Sequence, residues 1–374
     1  MVTTGGRRAS GRDRPSGGHP RTAVLAVPFG GERCQSEEGT AAAPRSGRPP
    51  RSEGGRRRRV VRLIDAGDGR KLAVETWGAP DGMPVFLLHG TPGSRSGPRP
   101  RDIVLHRLGV RLISYDRPGY GRSDRQPGRT VADAARDVET IATALGVERF
   151  GVVGRSGGGP HALACAARLR RRVVRVAALV SLAPGDADGL DWYGGMNDSN
   201  RREYRTTDDD VDFLAADLID RAKQIQEDPD SLVRRLLPEL ERADRRVVED
   251  VGLRRLLGQT YREAVRLGAD GWIDDVLAFR RDWGFELPAI RVPVLLWHGA
   301  EDMFSPVGHT RWLAERIPGA LLRVEPGLAH FGAVEILPRI LAWIAEPAAS
   351  RPEAAGLRTA ADPGRAAASG LPAG

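Results

Sequence analysis

Phe150-Gly151-Val152-Val153-Gly154-Arg155-Ser156-Gly157-Gly158-Gly159-Pro160-His161 is the stretch from which the fold can be read. Phe150–Val153 is a short apolar run, as expected of a strand buried on both faces. Small residues from Pro160 to Leu169 read as the helix that follows. Between them Ser156 stands at the centre of a Gly-x-Ser-x-Gly turn, the strand–turn–helix setting of a nucleophile elbow. Such a turn strains the backbone of Ser156 and lifts its hydroxyl above the sheet. Strand and helix then nearly touch, so only tiny side chains fit two residues before and after it. Gly154 and Gly158 meet that demand, and Gly159 adds slack. A phosphate loop reads differently: the glycines here run G-x-x-G-G-G rather than G-x-G-x-x-G, and no P-loop lysine follows.

A serine hydroxyl is a weak nucleophile at neutral pH and needs a base. Of the seven histidines, His19 lies in an N-terminal tail, His89 and His298 sit in His-Gly pairs at strand ends, and His106, His161 and His309 fall in helical stretches. Only His330 lies in a loop after the last strand, Gly327-Leu328-Ala329-His330-Phe331-Gly332, where it could meet Ser156. It is the expected base. A carboxylate must fix its tautomer and stabilise the imidazolium. Asp302, just after the run Val292–Trp297, is the expected one; Glu301, Asp186 and Asp188 are its rivals. Charge developing on a substrate oxygen calls for preorganised donors. The Gly157 N–H, at a helix N-terminus, supplies one. The Thr91 N–H, in the loop His89-Gly90-Thr91-Pro92-Gly93-Ser94, supplies the other. Arg155 is unusual beside a nucleophile: it either contacts an acidic substrate group or pairs with a nearby carboxylate.

Outward from this centre the pattern alternates. Val60–Ile64 and Leu72–Trp77 flank Asp65-Ala66-Gly67-Asp68-Gly69 and read as a hairpin. Val85–Leu88, Val110–Tyr115, Val173–Leu182, Val292–Trp297 and Ala320–Val324 read as further strands. Val131–Leu145, Thr310–Arg316 and Ala333–Ile344 carry helical spacing. The order implies an α/β fold, a mostly parallel sheet flanked by helices. Residues 186–287 break the alternation: charged and helical, they include Val211–Ile225, Leu232–Leu240, Val247–Leu257 and Trp272–Phe279. They read as an inserted helical cap over a core of 60–185 and 288–346. Trp192, Tyr193, Met196, Tyr204 and Phe213 either line an apolar acyl pocket or form the core of that cap.

These residues resemble the α/β-hydrolase superfamily over about 60–346. His89-Gly90-Thr91-Pro92-Gly93 is similar to its oxyanion loop, and Tyr115-Asp116-Arg117-Pro118-Gly119-Tyr120-Gly121-Arg122-Ser123 to its turn after the next strand. Gly154–Gly158, Asp302 and His330 match its elbow, acid and base, in the chain order Ser, Asp, His. The resemblance implies attack by Ser156 on an acyl carbon, an acyl-enzyme, and release by water. Ser156 argues against epoxide hydrolases and haloalkane dehalogenases, whose nucleophile is aspartate. Thr91 and Arg155 depart from proline iminopeptidases, which have a His-Gly-Gly-Pro-Gly run and a tryptophan in the elbow.

Composition sets the outer bounds. The chain has 374 residues, 40% hydrophobic and 28% charged, and a formal net charge of +8. No apolar run approaches the roughly 18–20 residues of a membrane span. Cys34 and Cys165 are too few for a disulfide scaffold or a cysteine zinc site, and the histidines lack ligand spacing, so neither metal nor cofactor is expected. The positive charge sits in residues 1–59, which hold 13 arginines against 5 acids, so the core is near neutral and no nucleic-acid partner is expected; an arginine tail that tethers the protein to nucleic acid is the alternative. That segment and 347–374 read as Gly/Pro/Ala-rich disorder, the first being also explicable as a misplaced translation start. The expectation is a cytoplasmic serine hydrolase that cleaves an ester, thioester, lactone or amide of a small apolar molecule. Carbon–carbon hydrolysis, cofactor-free perhydrolysis and a non-catalytic binding role are its alternatives.

Overall fold

The computed structural model describes residues 61–347. The expected tails, with His19 and Cys34, lie outside the described residues except for Pro347. Among the described residues the sheet has eight strands: β1 Arg62–Asp65, β2 Lys71–Gly78, β3 Met83–Leu88, β4 Val110–Tyr115, β5 Phe150–Arg155, β6 Val173–Leu179, β7 Val294–Gly299 and β8 Leu321–Glu325. Their order is β1-β2-β4-β3-β5-β6-β7-β8. β1 and β2 form the expected antiparallel hairpin, closed by Gly67 and Gly69 at positive φ. β2 also pairs antiparallel with β4, and the other five pairings are parallel. This is the expected α/β class.

The continuous apolar runs are explained by two cores. Phe86 and Leu88 of β3 face one core, whereas Val85 and Leu87 face the other. Period-two alternation with both faces covered leaves no polar positions in the strand. Helices α1 Asp102–Arg107, α2 Asp133–Ala144 and α3 Gly158–Arg168 connect β3, β4, β5 and β6 in turn, α10 Val307–Arg316 lies between β7 and β8, and α11 Gly332–Glu335 and α12 Leu337–Ala345 follow β8. α1 carries no marked periodicity and was not expected.

Between β6 and β7 lie α4 Asp198–Asp209, α5 Val211–Glu227, α6 Ser231–Leu236, α7 Arg242–Val248, α8 Val251–Ala264 and α9 Asp270–Arg280. Caps decide where they break. Asp210 Oδ1 accepts the Phe213 N–H at 2.9 Å and Asp250 Oδ1 the Leu253 N–H at 2.8 Å. The second cap splits the expected helix Val247–Leu257 into α7 and α8. Pro338, in the first turn of α12, marks the similar division of Ala333–Ile344. β6 stops three residues early because Val180 turns away at φ +46°, held by Trp297 O on its N–H and by Ser305 Oγ on its carbonyl.

β3 leads to β4 on one side, while β5 lies on the other. The loops after β3 and β5 therefore diverge at a topological switch point, where open α/β sheets bind ligands.

Candidate active site

Ser156 follows β5 at φ +54°, one of two described non-glycine residues in the left-handed region. For a residue with a Cβ this is a strained conformation, of the kind that clusters at functional sites. The glycines around it are required by contact. A Cβ on Gly154 would collide with the Gly158 carbonyl oxygen, and one on Gly158 with Leu88 O. Gly159 is not slack: a Cβ there would strike Ser181 Oγ.

Ser156 and His330 line one cavity of about 1090 Å³, open mouth included. His330 Nδ1 lies 2.8 Å from Asp302 Oδ2. The other Asp302 oxygen accepts the N–H groups of Phe304 (2.8 Å) and Ser305 (3.1 Å), and His298 Nε2 stands 3.2 Å from Oδ2. Burial opposes ionisation of Asp302, but the two histidines outweigh it and hold its carboxyl well below the usual range. Burial likewise opposes charge on His330; Asp302, with Asp244 beyond it, reverses this and raises the imidazole pKa. The rivals lie elsewhere. Asp186 and Asp188 are exposed, and the exposed Glu301 accepts the Gly327 N–H. His161 and His309 are buried among other partners. Among the described residues Ser156 Oγ makes no hydrogen bond to His330, a contact that in ligand-free sites often tightens only when substrate arrives.

Thr91 and Gly157 meet across the switch point: a Cβ on Gly157 would collide with Thr91 Oγ1. Both residues line the cavity. The Thr91 hydroxyl is committed away from it, donating to Asp275 Oδ2 at 2.6 Å. The residues whose backbone N–H groups are the expected donors thus share this corner.

Asp275 and Asp244 went unremarked in the sequence. Asp275 on α9 is fully buried, and receives Thr91 Oγ1, Tyr120 OH (2.8 Å), Arg129 Nη2 (2.6 Å) and Arg117 Nη2; His161 Nε2 is 3.3 Å away. Burial opposes its ionisation, but Arg117 and Arg129 hold its carboxyl far below the usual value. Arg117 also donates to the carbonyls of His89 and Gly90. One carboxylate thus ties the loop after β3 and the turn after β4 to α9. Two acidic residues, Asp274 and Asp275, inside the otherwise apolar stretch Trp272–Phe279 are the available signal. Asp244 on α7 accepts the N–H groups of His330 (3.2 Å) and Phe331 (2.7 Å), which fixes the histidine loop. Burial pushes its carboxyl up to about 6. Nothing in the charged sequence around Asp244 distinguishes it.

Of the two readings for the aromatic residues near the start of the cap, packing in the core fits most of them. Tyr204 reaches the cavity, but Trp192, Tyr193 and Met196 pack beside it and Phe213 is exposed. Leu232, Leu257, Tyr261, Trp272, Phe304 and Phe331 supply apolar wall instead.

A crossover sheet with a strained serine at its switch point and a His–Asp pair beside it defines the hydrolase class of α/β proteins. A family model described as the alpha/beta hydrolase fold matches residues 83–335, and the chain belongs to that family. It is similar to a non-heme chloroperoxidase of Streptomyces lividans, 27% identical over 288 residues that cover 74% of this chain and 95% of the relative. A bifunctional esterase/perhydrolase of Acinetobacter calcoaceticus is 27% identical over 278 residues, covering 70% and 90%. Among solved structures, the bromoperoxidase of Bacillus anthracis superposes with a TM-score of 0.56 at 21% identity, over 75% of this chain and 96% of that one, a likeness of fold. No helix of the described residues is long and apolar enough to cross a membrane.

Proposed function

We propose that the protein is a serine hydrolase of small acyl compounds, working through Ser156, His330 and Asp302. The observation that carries this reading is the 2.8 Å His330–Asp302 contact at the cavity that also holds the strained Ser156. His330 takes the proton of Ser156 Oγ through Nε2 as the oxygen attacks the acyl carbon, while Asp302 keeps the proton on Nδ1 and stabilises the imidazolium. The N–H groups of Thr91 and Gly157 hold the oxyanion; one such donor is worth about 2.7–4 kcal/mol elsewhere. His330 then protonates the leaving group, and water, activated by the same imidazole, releases the acid. Helices α4–α9 act as the cap that walls the cavity off.

The relatives favour a second use of the same acyl-enzyme. Hydrogen peroxide in place of water would give a peracid, as the names of the chloroperoxidase and the esterase/perhydrolase suggest.

A fluorophosphonate probe followed by peptide mapping tests the reading. The adduct is expected on Ser156, and is expected to be lost on heat denaturation and in His330→Ala. Folded protein that neither labels nor hydrolyses any of a panel of acyl esters overturns it. Peracid formed from acetate and peroxide separates the second use from plain hydrolysis.

A further inference from the structure

Arg155 is the residue the proposed chemistry does not use. It ends β5, directly before Ser156, and its side chain lines the same cavity. Its Nη1 is wholly buried and has no hydrogen-bond partner among the described residues. Among the described residues no carboxylate pairs with it. Burial lowers its pKa, and Tyr261 is the one group that opposes this. The residue as a whole is half-buried. A guanidinium nevertheless stays protonated, and leaving its buried edge without a partner is costly.

The surrounding acids are all occupied. Glu203, the one carboxylate among the described residues of the cavity wall, is taken by Arg221 (2.9 Å) and Trp272 Nε1 (3.0 Å). Asp302 and Asp244 serve His330 and its loop, Asp275 serves Arg117 and Arg129, and Glu263 pairs with Arg95. A second guanidinium, exposed Arg235, also lines the cavity and has no acidic partner among the described residues. The cavity therefore holds more positive than negative charge. Its deepest unmatched group is a planar, five-donor fork suited to a carboxylate.

We propose that Arg155 is a substrate-recognition residue that binds the free carboxylate of an acidic acyl ester, such as a half-ester of a short dicarboxylic acid. This rests on the serine-hydrolase reading and narrows it: the substrate is apolar along its length and anionic at one end. The carboxylate supplies the counter-ion that the fold withholds, and it does so in a partly desolvated site where the attraction is stronger than in open water. Neutral esters leave Arg155 unmatched and bind less well. Arg235 at the mouth adds attraction for the same charge during approach.

The test compares two esters that differ only in charge, p-nitrophenyl hemisuccinate and its methyl ester, with the hemiglutarate pair beside them. The wild-type ratio of kcat/KM, acid over neutral, is expected to exceed one and to shrink with added salt. Arg155→Met is expected to reduce that ratio by about 10- to 100-fold, the range for a hydrogen bond to a charged group. Arg155→Lys is expected to keep part of it. Within one sample the ratio is independent of how much protein is folded. An unmoved ratio in Arg155→Met, or wild-type preference for both neutral esters, overturns the proposal. Calorimetry with succinate and glutarate on Ser156→Ala reads the site without turnover. Binding that is absent for dimethyl succinate and lost on adding Arg155→Met supports the assignment. No binding of either diacid overturns it even where esters are cleaved. Binding without cleavage of any ester keeps the Arg155 site and overturns the hydrolase reading. Should Arg155→Met not fold, competition by succinate but not dimethyl succinate against the wild-type reaction decides the matter.

Discussion

His330 sets the pH response at the scale of the single residue. It acts as a base only when neutral, and its pKa lies above its ordinary value of 6.5 because Asp302 and Asp244 outweigh burial and Arg155. Activity is therefore expected to be lost as pH falls through a pKa above 6.5, and to be full on the alkaline side. Asp244→Asn removes one of the two carboxylates that raise this pKa. Its kcat/KM profile is expected to keep its shape with the acid limb displaced to lower pH. A lower rate with an unmoved limb would mean that Asp244 only holds the loop. The elbow makes a second demand. Gly154→Ala would press a methyl group into the Gly158 carbonyl, where backbone faces backbone and neither side can yield. Overpacking of this kind costs about 1–3 kcal/mol, so denaturant unfolding should record that loss, together with misplacement of Ser156 and reduced turnover.

Helix α9 matters through one position. Asp275 neutralises Arg117 and Arg129, both almost wholly buried, and receives the Thr91 hydroxyl. Asp275→Asn leaves two buried guanidinium groups without their counter-charge. Breaking a buried pair in this way costs about 3–5 kcal/mol, and urea unfolding is expected to show a loss of that size. Asparagine keeps only one of the two oxygens shared by Thr91 Oγ1, Tyr120, Arg117 and Arg129, so the loop after β3 is held less firmly and kcat is expected to fall more than KM rises. Equal kcat in folded Asp275→Asn would show that the oxyanion loop holds its shape without α9. The strands that frame this network were legible in the sequence, because burial on both faces writes an unbroken apolar run. Element ends were less so. The break between α7 and α8 depends on the Asp250 cap, and the end of β6 depends on Trp297 and Ser305, which lie more than 100 residues further along the chain.

Across the whole molecule, one apolar cluster joins Phe86 and Leu88 of the sheet to Leu218, Trp272 and Phe279 of the intervening helices. Sheet and helices α4–α9 should therefore unfold together. Tryptophans report on both, with Trp77 and Trp297 in strands and Trp192 and Trp272 in or beside the helices. Fluorescence and far-ultraviolet circular dichroism are expected to give one shared midpoint in denaturant. Two separate midpoints would mean that the helices melt on their own. By itself the sequence determined the elbow, the likeness to a family, and the acid and base candidates. These are local matters, since a glycine beside a sharp turn and a histidine in a strand-end loop are readable from their neighbours. Only the tertiary structure decided which carboxylate meets His330, that Asp275 and Asp244 hold the two loops, which side chains wall the cavity, and that Arg155 Nη1 has no partner among the described residues. Each of these is settled by distance and desolvation between groups up to 184 residues apart. A charged residue reads the same in sequence whether it faces water, an opposite charge or an unfilled cavity.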